Sequence, residues 1–238
     1  MTRSRIILLG LLTFPPSANN CIAQGMPHFV EKLTIEEGLS SNIITGLLQD
    51  DNGFLWISTP DGLNRFDGTE TIHYMHGPDT NSLPHSYVNC MIKLPGHYLA
   101  IGTQAGLSFY NDITGAFQNF YSRHRPSLDL YNNMITDLEA DARGNCWAAS
   151  RSCIYIFNPR HQLKKIIPAP FTDATVAKER LSFVEKMIPL SNGDVLLFLY
   201  DGWALYSAKA DSLIHYQLPP PFLPAGTAAT SPGSRLFK

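Results

Sequence analysis

The chain has 238 residues, of which 16% are charged, with 17 glycines, 17 prolines and a formal charge of −2. That balance leaves no basic footprint for nucleic acid, and the length suits one sizeable, turn-rich core. Four cysteines in no paired metal-ligand spacing argue against a zinc site. Cys90, Cys146 and Cys153 read as small buried thiols, with one disulfide left open should the compartment be oxidising.

Residues 1–23 read as an export signal: Arg3 and Arg5 precede an apolar run over 6–12, and Cys21-Ile22-Ala23 before Gln24 fits small-residue cleavage. The run is too short to span a bilayer, and no later one is longer. Residues 24–38 form a lead-in, with 29–33 patterned as an extra outer strand. Residues 39–78 then predict four short strands. Residues 43–49 are mostly apolar, as in a strand buried on both faces. Asp50-Asp51-Asn52-Gly53 is a turn whose side chains can accept backbone N–H groups. Residues 54–59 form a second strand carrying Trp56, and Pro60-Asp61-Gly62 turns it into a third over 63–66. Asp67-Gly68 leads to an outer strand over 71–75.

Weaker copies fill most of the remainder. Gly62-Leu63 aligns with Gly106-Leu107, Cys153-Ile154 and Gly202-Trp203, at spacings of 44, 47 and 49 residues. Four strands per unit at this period predict a β-propeller, because one twisted sheet cannot bury both faces alone. The units cover 39–78, 79–125, 126–170 and 171–218. Trp56 and Trp147 hold equivalent places, where a large ring fills the gap between neighbouring blades. The tail, 219–238, has no blade pattern and reads as disordered.

The motif residues of the first unit are Gly38, Leu39, Ser40, Asn42, Asp50, Gly53, Trp56, Thr59, Gly62, Leu63 and Phe66. On these the chain resembles the propeller repeat in the extracytoplasmic sensor region of Bacteroides-type hybrid two-component systems. The second unit keeps Gly96, Thr103, Gly106 and Leu107, with Ala100 in the tryptophan place. The third keeps Asp141, Gly144 and Trp147, with Cys153 for glycine, and the fourth keeps Gly193 and Gly202. The resemblance implies an all-β fold of about four four-stranded antiparallel blades, part of a propeller of seven. It implies an N-terminal fragment of a periplasmic, inner-membrane-anchored sensor that detects oligosaccharides to control carbohydrate-utilisation genes. Its partners would be the missing blades and kinase region, with a homodimer as a candidate assembly of the intact sensor. Such a fragment is not itself an enzyme and needs no cofactor or metal. A propeller lyase or glycosidase, and a protein-interaction propeller, stand as alternatives.

Asp50, Asp51, Asp61, Asp67 and Asp141 fall at turns, where structural roles are expected. His73 and His215 sit at equivalent outer-strand places, which argues for scaffold. No paired carboxylates or nucleophile arrangement emerges, so no catalytic residue is assigned. Ligand contacts are expected on the rim formed by loops entering the inner strands and by the second hairpins. There His85, Tyr87, Tyr131, Asn132 and Arg151 have the aromatic and hydrogen-bonding chemistry that suits sugars.

Overall fold

Turns that satisfy their own backbone set the strand lengths. Asp50 Oδ1 accepts from the amides of Asn52 and Phe54, at 2.9 and 3.0 Å. Asp67 does the same for Thr69 and Glu70, and the Glu70 and Thr69 amides with the Thr69 hydroxyl hold its carboxyl down to about 2. The computed structural model describes residues 32–121, 133–151, 153–168, 184–199, 202–217 and 235–237. The chain divides into two units, Met1–Lys32 and Leu33–Lys238, and the second holds every described strand. The signal segment and most of the lead-in strand expected over 29–33 lie outside the described residues.

The first sheet is a meander of β1 (Gly46–Gln49), β2 (Leu55–Thr59), β3 (Gly62–Phe66) and β4 (Thr71–Tyr74). The second comprises β5 (Val88–Leu94), β6 (Tyr98–Thr103), β7 (Gly106–Asn111) and β8 (Ala116–Phe120). The third comprises β9 (Ile135–Ala140), β10 (Cys146–Ser150), β11 (Cys153–Phe157) and β12 (Leu163–Pro168). The fourth comprises β13 (Val184–Pro189), β14 (Val195–Leu199), β15 (Gly202–Ser207) and β16 (Ser212–Gln217), with β17 (Arg235–Phe237) added outside β16. All pairings are antiparallel. This is the blade arrangement of a propeller, first strand innermost.

Apolar residues from facing sheets close three successive interfaces. Trp56, Leu63, Ile101 and Tyr110 fill the first, Phe109, Leu138 and Phe157 the second, and Trp147, Met187, Leu197 and Tyr206 the third. Inner strands are also latched by one recurring polar bond. Thr45 Oγ1 donates to the Val88 carbonyl at 2.7 Å, Asn89 Nδ2 to that of Ile135 at 2.9 Å, and Thr136 Oγ1 to that of Val184 at 2.8 Å. The next place in the repeat is Glu185.

Two expectations are corrected. The first inner strand begins only at Gly46, and Ile43 and Leu47 are each 65% exposed. An apolar run implied two covered faces, but among the described residues only the second sheet packs beside β1. The tail is not wholly without structure: Arg235–Phe237 pairs with β16, setting Ile214 against Leu236. An outer strand leaves an open row of N–H and C=O groups, and three residues suffice to cover part of it. Among the described residues Cys90 and Cys146 are free thiols, and burial pushes Cys146 up to about 12.

Candidate functional site

The repeat motif forms a scaffold before it forms any site. Trp56 is fully buried, and its indole N–H donates to Asp50 Oδ2 at 2.7 Å. Trp147 donates to Asp141 Oδ2 at 3.1 Å, while the Asn145 amide group donates to the same oxygen at 2.7 Å. Burial pushes the Asp141 carboxyl up, but the Asn145 and Trp147 donors and two turn amides outweigh it and hold the group low. Each aspartate lies six residues before its tryptophan, with Gly53 or Gly144 between them in the turn. At the same two places the second sheet has Leu94 and Ala100, and the fourth Leu190 and Leu196. Carboxylate and indole are therefore kept or lost together, since a half-buried carboxylate without its donor is costly.

The second hairpins repeat a hydroxyl clamp. Thr59 Oγ1 donates to the Gly62 carbonyl at 2.9 Å and accepts from the Asp61 amide at 3.1 Å. Thr103 with Gly106, and Ser150 with Cys153, close their hairpins the same way, at 2.8 Å each. A Cβ on Gly62 would lie 2.9 Å from the Tyr74 carbonyl, and one on Gly106 2.8 Å from that of Phe120. Both glycines also have positive φ, so no other residue fits without strain. Gly202 pairs with Leu199, which has no hydroxyl, and the clamp is absent from that hairpin.

These hairpins and the loops entering the inner strands share one rim. Much of its polarity is spent internally. Ser40 and Asn64 bond each other twice, at 2.9 Å, and Ser40 meets the Thr59 hydroxyl at 2.8 Å. Asn42 accepts from the Ile35 amide at 3.0 Å. His85 Nδ1 accepts from the Tyr87 amide at 2.9 Å, which brings these two residues together in one loop and leaves the Tyr87 ring half-buried. Arg151 stands half-buried at the hairpin tip of the third sheet. Tyr131 and Asn132 lie outside the described residues. Among the described residues no three His, Cys, Asp or Glu side chains gather as metal ligands would, and no helix is long and apolar enough to cross a membrane.

The inner-strand latch was missed in the sequence, although its signal is present. Thr45, Asn89 and Thr136 stand five residues before Asp50, Leu94 and Asp141.

Comparison with known proteins adds to this geometry. Residues 38–61 match the family described as two component regulator propeller. The chain is similar to the extracellular domain of BT3049, assigned to a hybrid two component system of B. thetaiotaomicron. The identity is 24% and the TM-score 0.62, over 78% of this chain and 26% of that one. It is also similar to the extracellular domain of BT4673 from the same organism, assigned to the same kind of system. There the identity is 20% and the TM-score 0.58, over 73% of this chain and 22% of that one. A chain of the mitotic checkpoint complex is similar at 11% identity and a TM-score of 0.51, over 87% of this chain and 60% of that one. Likenesses at these identities show the fold, an all-β propeller of antiparallel blades. The chain spans about a quarter of the length of the two bacterial domains. No curated protein matches.

Proposed function

We propose that this chain, whose residues 38–61 carry a two-component regulator propeller repeat, is a ligand-sensing propeller region of an extracytoplasmic sensor. The single observation that carries this reading is that family match. Around it the Asp50–Trp56 unit recurs as Asp141–Trp147 in the same register. The ligand proposed is an oligosaccharide, held on the rim where His85, Tyr87 and Arg151 stand. An aromatic ring, an imidazole and a guanidinium supply the stacking and hydrogen bonding that saccharides use. Asp50, Asp67 and Asp141 spend their carboxylates on turn amides and indoles, which supports recognition rather than catalysis. On this reading the chain is exported to the periplasm and acts with further blades and a kinase region of its parent sensor.

Isothermal calorimetry against a broad panel of plant and host oligosaccharides tests this, using the ectodomain that contains these blades. Saturable heat from one glycan class, lost in a Tyr87→Ala Arg151→Ala variant, is the expected result. Silence across the panel, or release of cleaved product, would overturn it.

A further inference from the structure

The third interface has an opening on the rim opposite the one just described. In the first interface Trp56, Tyr74, Tyr110 and Phe117 form a four-ring cluster, with centroids 4.7 to 5.7 Å apart. Strand registers place Trp147, Ile167, Tyr206 and Leu213 at the same four positions of the third. Two rings are thus replaced by smaller aliphatic side chains. Trp147 and Tyr206 still meet edge to face at 5.2 Å, and with Ile156 they form the apolar wall of a cleft of about 300 Å³. That is the lower end of the size range of small-molecule sites.

The polar lining changes in step. In the first interface Asn52 Nδ2 donates to Asp112 Oδ2 at 3.1 Å, tying the inner turn of one sheet to the outer turn of the next. The equivalent pair in the third is Arg143 and Ala208. A cation there faces a methyl group instead of a carboxylate. A Cβ on Gly193 would lie 3.7 Å from Arg143 Nη2, so the guanidinium lies beside the inner turn of the fourth sheet. Lys164 and Lys165 line the cleft from the third sheet. Both carboxylates present are already committed. Asp141 takes the Trp147, Asn145 and turn-amide donors, and Asp211 takes Lys165 and the Tyr206 hydroxyl. Lys165 is thereby matched. Arg143 and Lys164 make no close ion pair with any described carboxylate, although the Lys164 charge adds to that of Lys165 in holding the Asp211 carboxyl low.

We infer that this cleft between the third and fourth sheets is a binding site for a compact oxyanion, the carboxylate or sulfate of a small ligand, held by Arg143 and Lys164. Arginine suits it because its planar fork meets two oxyanion oxygens at once. The low-dielectric wall of Trp147, Ile156 and Tyr206 strengthens that attraction. This site does not depend on the sugar reading, since it lies on the other rim and an inorganic ion can probe it.

The test titrates the whole chain with sodium sulfate, sodium glucuronate and glucose at constant ionic strength, followed by calorimetry and tryptophan fluorescence. Sulfate or glucuronate should saturate the protein and glucose should not; tighter glucuronate binding assigns the site to sugar acids, and equal or tighter sulfate binding to bare oxyanions. Arg143→Gln with Lys164→Gln should weaken binding by at least about tenfold, with circular dichroism unchanged. Ala208→Asp, which restores beside Arg143 the carboxylate that the first interface has at Asp112, should abolish it, whereas Lys93→Gln in the first interface should leave it unchanged. No saturation by about 10 mM, equal binding of glucose, or undiminished affinity in the double variant would overturn the site.

Discussion

The first and third interfaces carry the same wedge and differ in what surrounds it. Both set an indole against an aspartate six residues earlier. The first then closes with Tyr74, Phe117 and the Asn52–Asp112 bond, while the third leaves Ile167, Leu213 and an unmatched Arg143. The wedge holds sheets together; the neighbours decide whether the seam is sealed or can admit a ligand.

The largest expected effect is on the wedge itself. Trp56→Ala removes a fully buried ring from a four-ring cluster and strands the Asp50 carboxylate, so it should cost about 3–5 kcal/mol in chemical denaturation. Trp147→Ala should cost less, because its seam already contains open space. Equal costs would break the comparison. Asp141→Asn comes next, at about 1–2 kcal/mol at neutral pH. The Asp141 carboxyl is held below its ordinary value of 3.8. Its contribution is therefore complete above that value and lost as pH falls through the lower folded-state value. Acid unfolding profiles should accordingly flatten in the variant.

The third prediction sharpens the contrast by converting one seam into the other. Ile167→Tyr with Leu213→Phe copies the four-ring arrangement into a seam where both side chains are already buried, and should cost about 1 kcal/mol, read as a lower thermal midpoint. A higher midpoint would mean the seam has room for rings. The smallest effect concerns a feature both interfaces share. Thr45→Val and Thr136→Val each delete one latch and should cost about 1 kcal/mol or less by denaturant titration, with similar values at the two sites.

The blade plan was legible because its signals are local. Trp56 with Asp50 and Gly53, the Thr59–Gly62 hairpin, and their copies at Trp147 and Gly106 lie within a few residues of one another. The exposed face of β1 was not legible, since Ile43 and Leu47 look buried until the neighbouring sheets are counted. Nor was the cleft, whose lining brings Arg143 of the third sheet and Ala208 of the fourth together from more than sixty residues apart in sequence. Arg143 reads as an ordinary turn residue; only the loss of an aspartate at Ala208, on another blade, gives it consequence. The strand at Arg235–Phe237 is too short to show a period.

Glu185 occupies the latch position of the fourth inner strand. An ionised carboxylate accepts hydrogen bonds and cannot offer one. Any strand seated there as β5, β9 and β13 are seated would bring its carbonyl oxygen toward another oxygen. The donors that Thr45, Asn89 and Thr136 supply therefore have no counterpart in the side chain of Glu185.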